Sequence, residues 1–238
     1  MRIYACGCSF TYGDELSDPI AHSWPAILAN KLSAEVTNDS IRGGTNARTM
    51  YRTIKNSQNN YDLYLIAWTT YNRFTFYKSD NNFEINFNPQ LEHNLFSKES
   101  FFKNWGITLY KHWYNELYAF KLWLQQIIQL QHVLSDKNYL MINTMSNHLS
   151  NWLVTKDLFL DSIKHLINFD IMNDEQIIDE YQEIQYYISL IDFSKFYKWN
   201  EFYITELCDK YPVGAGGHIL EEGHNQMASL IYQHLCSK

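Results

Sequence analysis

Proline and cysteine are scarce in this chain, with four of each among 238 residues. Cys6 and Cys8 stand two apart, while Cys208 and Cys236 lie far along the chain, so they form neither a zinc-ligand spacing nor a disulfide framework. They read as reduced, small apolar residues. Positive charge is also sparse: 19 Lys and Arg stand against 26 Asp and Glu, for a formal charge of -7. With no basic cluster, a protein that tracks a nucleic-acid backbone is excluded, because phosphate neutralisation needs gathered Lys and Arg. No apolar run reaches the roughly 18 residues a membrane span needs, and the apolar part of MRIYACGCSF is too short for a signal-peptide core. A cytoplasmic protein with no membrane partner is the expectation. No internal repeat, linker or low-complexity tract interrupts the sequence. What it does have is core material: 46% hydrophobic residues and 16% aromatics, including 18 Tyr and 7 Trp. That composition suits an ordered globular domain, and the length suits a single α/β domain.

Three short apolar runs read as strands: Arg2 to Cys6, Asp62 to Trp68, and Tyr139 to Asn143, with a briefer one at Glu35 to Asn38. Their apolarity is continuous rather than alternating, which suits strands covered on both faces, as in a parallel sheet. Helical patterns separate them. Ser23-Trp24-Pro25 is a helix start with Pro near the first helical position, and Ile27, Leu28 and Leu32 follow on one face. Leu109, Trp113, Leu117, Phe120, Leu124 and Ile127 recur every three or four residues, as one long amphipathic helix would. A further helix is expected from Asn173-Asp174-Glu175, burying Ile177, Tyr181, Ile184, Ile188 and Ile191. The last helix begins near Glu221-Glu222, whose charges favour a helix N-terminus, and turns Met227, Leu230, Ile231 and Leu235 inward. Alternating strands and helices mean βαβ units. Residues 75–105, polar and aromatic with no clear period, and residues 148–195 both exceed a minimal sheet-and-helix plan, either as a cap over a site or as structural padding.

A serine hydroxyl is a weak nucleophile at neutral pH, so serine chemistry needs a base within hydrogen-bond reach and donors for the oxyanion that develops. Ser9 follows a buried strand directly, in a turn running to Gly13, at the carboxyl end of the expected sheet where open α/β folds bind ligands. The segment GCSFTYG, residues 7–13, resembles the GDSxTxG opening block of the SGNH (GDSL-like) hydrolases, with Cys8 in place of the usual Asp. SWPAILANKL, residues 23–32, resembles the first helix of that family, and NDSIRGG, residues 38–44, resembles its second block. In that block a loop glycine gives a backbone N–H to the oxyanion; counting from Asn38, the resemblance puts it at Gly43, with Gly44 a near rival. Glycine suits the role because a missing Cβ lets substrate approach the backbone.

The remaining two blocks depart from the family pattern. AWTT, residues 67–70, stands where the family has GxND, so Thr69 occupies the position of an Asn that donates to the oxyanion. Asn72 and Arg73 are nearby substitutes. GAGGHILEEGH, residues 214–224, resembles the DGxHPxxxGH layout of the last block. The resemblance makes His218 the base and His224 a mostly structural second histidine. Ala215 stands where the family has the Asp that orients the base. A carboxylate from elsewhere, a backbone carbonyl, a Ser-His dyad or loss of catalysis are the four possible outcomes, and the sequence selects no acid.

The resemblance implies an α/β fold: a three-layer αβα sandwich with a flavodoxin-like parallel sheet of about five strands and helical insertions. It implies one SGNH-hydrolase-like domain over residues 1–238, with residues 75–135 and 148–195 as insertions atypical of the family. The implied activity is ester hydrolysis through a serine acyl-enzyme, with Ser9 and His218 catalytic and Gly43 and Thr69 forming the oxyanion hole. No cofactor and no metal is implied. The expected substrate is a small acyl ester or an acylated carbohydrate. A catalytically degenerate binding module and an O-acyltransferase are the alternatives.

Overall fold

A computed structural model describes residues 1–78, 83–87, 100–145 and 173–237. In chain order the elements are β1 (Arg2–Cys6), a single helical turn α1 (Ser9–Tyr12), α2 (Pro19–His22), α3 (Trp24–Lys31), β2 (Glu35–Asn38), α4 (Asn46–Asn56) and β3 (Leu63–Trp68). They continue with β4 (Phe74–Lys78), β5 (Phe83–Phe87), α5 (Ser100–Thr108), α6 (Glu116–Val133), β6 (Tyr139–Asn143), α7 (Asp174–Ser189) and α8 (Glu221–Cys236).

The described residues fall into two compact units, one holding 1–70, 132–145 and 192–237, the other 71–78, 83–87, 100–131 and 173–191. In the first, four parallel strands lie in the order β2-β1-β3-β6. The pairing is in register from Arg2↔Glu35 and Ile3↔Leu63 through to Trp68↔Asn143. A parallel bridge between Met141 and Phe196 extends the outer edge by one residue pair, with Tyr197 N–H donating to Met141 O at 2.8 Å. The expected fifth strand is reduced to that bridge among the described residues. This is the start of the flavodoxin-like order, whose ligand position is the switch point beside the first strand.

The continuous apolar runs have the physical cause anticipated for them. All six residues of β3 and all five of β6 are buried. One face of the sheet, with Ile3, Ala5, Leu63, Leu65, Leu140 and Ile142, packs into a core with Trp24 and Leu28 of α3 and Met227, Ala228 and Ile231 of α8. The other face carries Tyr4, Cys6 and Tyr64 toward α4. There Tyr64 donates to Asn59 O at 2.6 Å, and Arg48 donates to Asp39 O at 2.7 Å while lying 3.9 Å from Cys6 Sγ. An α/β sandwich of helices on both faces of a parallel sheet results. The four cysteines are free thiols, Cys6 and Cys8 inside the core.

In the second unit, β4 and β5 pair antiparallel, from Phe74↔Phe87 to Lys78↔Phe83. Residues 75–105, expected to lack a period, thus hold a strand pair and most of α5. Trp105 packs on Phe76 and Phe87, with ring centroids 4.7 Å and 5.1 Å away. The long helix expected from Leu109 is also corrected. Leu109–Trp113 is a π-helical turn, the chain is extended at Tyr114, and α6 starts at Glu116. Asn115 caps the new start, its Oδ1 accepting the Tyr118 N–H at 2.8 Å, and Trp113 is left exposed. α7 begins where expected, with a capping box between Asn173 and Gln176. Ile177, Ile184 and Ile191 are buried, whereas Tyr181 and Ile188 are half-buried. Of the two proposed insertions, residues 79–82, 88–99 and 148–172 lie outside the described residues. Among the described residues, no helix is long and apolar enough to cross a membrane.

Candidate active site

The carboxyl end of β1 sets the first candidate side chain. After Cys6 the chain turns at Gly7 and coils at once into α1, so Ser9 stands at the start of that turn with 6% of its surface open. The turn is held from below. Cys8, standing where the resembling motif has Asp, is fully buried in the core beside Phe10, and Thr11 is fully buried too. Thr11 and Tyr12 N–H groups both donate back to Cys8 O, at 3.0 Å and 2.9 Å. The expected turn is therefore a helical one, anchored by its own buried side chains.

The chain's far end supplies the partner. His218 Nε2 lies 2.8 Å from Ser9 Oγ across 209 positions of sequence. Phe10 packs against the imidazole, ring centroids 4.8 Å apart. The other ring nitrogen, Nδ1, lies 3.0 Å from Glu15 Oε2. The same carboxylate accepts the Gly216 N–H at 2.6 Å on Oε1 and the His218 N–H at 3.0 Å on Oε2. Those donors, the Gly216 N–H foremost and then the His218 backbone and ring, hold the Glu15 carboxyl below the ordinary carboxylate range. An ionised carboxylate only accepts, so this network puts the imidazole proton on Nδ1 and leaves Nε2 to accept from Ser9.

Ala215 is exposed and contributes nothing to the imidazole, as its side chain type requires. The group that meets His218 Nδ1 is instead Glu15, which the sequence did not single out. A signal for it was present in the glycines around Ala215. A Cβ on Gly214 would lie 2.6 Å from the Glu15 carboxylate, and one on Gly216 3.0 Å from it. The loop before His218 is free of side chains where the carboxylate enters.

The second-block loop reaches the same strand end. A Cβ on Gly44 would lie 2.7 Å from Gly7 O and 3.2 Å from Cys8 Cα, so this loop is packed backbone to backbone against the residues that precede Ser9. Gly43 has φ +65°, and the space where its Cβ would stand is open. Its neighbour Arg42 is tied to Asp14, Nε to Oδ1 at 2.7 Å, and Asp39 at the head of the loop accepts from Arg52 at 2.7 Å and 2.9 Å. Thr69, at the end of β3, is differently occupied. Its backbone is clamped by the Asn46 side chain, N–H to Oδ1 at 2.8 Å and Nδ2 to carbonyl at 3.0 Å, and its hydroxyl faces Met145 Sδ at 3.9 Å. The structure thus joins Ser9 to His218 and brings the Gly43-Gly44 loop to the same strand end, while the Thr69 hydroxyl is turned toward Met145.

His224 lies six residues beyond His218, in the first turn of α8, and is fully buried. Its Nδ1 accepts the Trp24 N–H at 3.0 Å, tying the start of α8 to the start of α3. Burial lowers its pKa to about 4, so it is neutral at physiological pH. Among the described residues no group of three His, Cys, Asp or Glu side chains is placed to hold a metal ion.

Solved structures with similar architecture include the psychrotrophic esterase EstA from Pseudoalteromonas sp., at 9% identity and TM-score 0.49 over 99% of this chain and 97% of that one. A member of the lipolytic protein G-D-S-L family from Veillonella parvula DSM 2008 aligns at 15% identity and TM-score 0.45, over 98% and 96% of the two chains. A family two carbohydrate esterase from Clostridium thermocellum aligns at 12% identity and TM-score 0.44, over 99% of this chain and 63% of that one. No curated protein is a significant match to the sequence. One family model matches residues 14–202, a span that includes Glu15 but neither Ser9 nor His218. By that match the chain belongs to DUF6071, a family of unknown function.

Proposed function

We propose that this protein is a serine ester hydrolase in which Ser9 attacks an acyl carbonyl and His218 is the base. The observation that carries the reading is the 2.8 Å approach of Ser9 Oγ to His218 Nε2, at the carboxyl end of the first strand of a parallel sheet. As Oγ bonds to the acyl carbon, its proton passes to Nε2 and the carbonyl electrons move onto oxygen. The imidazolium then returns the proton to the departing alkoxide, leaving acyl-Ser9 and free alcohol. Water repeats the sequence, with His218 again taking the proton, and releases the acid.

The oxyanion needs preorganised donors. In this reading Gly43 gives its backbone N–H, supported by the open space beside its Cα, and the Ser9 N–H at the start of α1 is a second. Thr69 retains its motif position, but its hydroxyl has to leave Met145 to serve. Small acyl esters, O-acetylated carbohydrate among them, are the substrate class that the sequence resemblance suggests. An acyltransferase would share every step to acyl-Ser9 and differ in the acceptor, which product analysis with added sugars separates.

A fluorophosphonate probe tests the reading. The wild-type chain is expected to label to one equivalent, and Ser9→Ala to label not at all. Absence of labelling at neutral and alkaline pH, or labelling that survives Ser9→Ala, overturns it.

A further inference from the structure

The chain departs from the resembling pattern most sharply at Ala215, where a methyl group stands in for the acid that would orient the base. A neutral imidazole left without a partner on Nδ1 divides itself between two tautomers, and only the one protonated at Nδ1 can accept from serine. Removing the orienting carboxylate from a Ser-His-Asp site lowers kcat by roughly 10⁴.

We infer that Glu15 is the positioning residue for His218, delivered from the segment just after the nucleophile and received in a backbone cradle built by Gly214, Gly216 and the His218 N–H. The inference rests on the reading of Ser9 and His218 as nucleophile and base. It stands on three independent features of the geometry. First, both carboxylate oxygens are engaged by the loop that carries the base: Oε1 by the Gly216 N–H, Oε2 by the His218 N–H and by Nδ1. A carboxylate fixed at two points aims its third contact, and so fixes the ring.

Second, the receiving loop has no side chains in the way. Cβ atoms at 214 and 216 would meet the carboxylate at 2.6 Å and 3.0 Å, and Gly217 takes φ +80° to bring His218 round. A loop that carried its own orienting Asp would have no use for this vacancy. Third, Glu15 itself is one of four non-glycine residues with positive φ among the described residues, at +68°. That conformation costs a residue with a Cβ on the order of 1 kcal/mol, and it persists where surrounding contacts hold it. The contacts on either side of it are those of the carboxylate with the histidine loop and that of its N–H with Asp14 Oδ1 at 3.0 Å. Asp14, its neighbour, meanwhile holds Arg42 beside Gly43. One two-residue segment thus tethers the loops on both sides of the serine.

A merely structural latch between two loops would be served as well by an amide as by a carboxylate at most such sites. This one discriminates. In Glu15→Gln, either the amide nitrogen faces the Gly216 N–H, donor against donor, or it faces the His218 N–H and donates to Nδ1, which forces the proton onto Nε2.

The test combines imidazole ¹⁵N NMR with fluorophosphonate labelling on the full chain, using wild type and Glu15→Gln, with His218→Asn to assign the resonance. Wild type is expected to show the Nδ1–H tautomer at His218. Glu15→Gln is expected to lose it, to label about 10³–10⁴-fold more slowly, and to melt within a few degrees of wild type. A wild-type His218 protonated at Nε2, or a Glu15→Gln chain that keeps the Nδ1–H tautomer and labels within threefold of wild type, overturns the inference. The tautomer of the wild-type ring decides the role of Glu15 even in a chain that labels with no probe, so failure of the hydrolase reading and failure of this one are told apart.

Discussion

The two ends of the candidate site are held in place by different physics. Ser9 rides on a helical turn whose neighbours Cys8, Phe10 and Thr11 are sunk in the core, and whose approach from β1 is filled so tightly that a Cβ on Gly7 would lie 2.6 Å from Thr11 Oγ1. His218 rides on a loop whose preceding residues, 215–217, are exposed, and which is closed by a single antiparallel bridge, Val213↔Ile219. Its side chain is fixed by Phe10 on one face and by the Glu15 carboxylate at Nδ1. Ser9 is positioned by packing, which is distributed over many contacts, and His218 by one aromatic contact and a hydrogen-bond network centred on the Glu15 carboxylate. Damage to the first should appear as lost stability, and damage to the second as lost activity in a folded protein.

That contrast is broken most sharply at the cradle. Gly214→Ala places a Cβ against the Glu15 carboxylate, the movable end of a flexible side chain, so the carboxylate is displaced while the backbone stays. Labelling of Ser9 should slow by roughly 10²-fold, the cost of misplacing a reacting group by about an ångström, with the melting temperature nearly unchanged. An equal fall in both would mean that the loop depends on packing after all.

A second test lies on the buried histidine, His224. The pKa of His224 is lowered to about 4 in the folded chain from an ordinary value of 6.5. Between those values the unfolded chain binds the extra proton, so stability falls as pH drops from about 6.5 and the loss levels off below about 4. The linkage amounts to about 3 kcal/mol at pH 4. Denaturant titrations at pH 7 and pH 4.5 should show the loss in wild type and a smaller one in His224→Gln, whose side-chain oxygen can still accept the Trp24 N–H. The mirror-image test on the serine side is Gly7→Ala. Its Cβ would meet Thr11, the Ala67 Cβ and the Ala67 carbonyl within 3.0 Å, and overpacking of this kind costs about 1–3 kcal/mol. Chemical denaturation reads that loss directly, and a stable variant with impaired labelling would contradict the division drawn here.

How far the sequence foretold all this follows the same division. β1, β3 and β6 were legible because continuous apolarity has one cause, burial on both faces, and Tyr139–Asn143 was bounded to the residue. That Ser9 and His218 should meet was legible because their flanking residues carry a recognisable pattern. Glu15 was not: it lies between the motif and the next helix, in a stretch with no period, and its role depends on a loop 200 positions away. The glycines at 214 and 216 recorded the arrangement, but as an absence of side chains, which sequence reading attributes to a turn. In the second unit, Phe74 and Phe76 alternate with Thr75, as do Phe83, Ile85 and Phe87 with Glu84 and Asn86, yet the runs are too short to stand out. The break before α6 was hidden because Leu109 and Trp113 continue the helical spacing, and only the cap at Asn115 marks the restart.

The proposed role of the hydroxyl beside His218 is that of a nucleophile. It is tested most directly by mapping where a fluorophosphonate attaches, by mass spectrometry of the labelled and digested protein. The phosphonyl group is expected on the peptide containing Ser9 and nowhere else. Its appearance on another residue, or its absence from a fully folded chain, would contradict the claim.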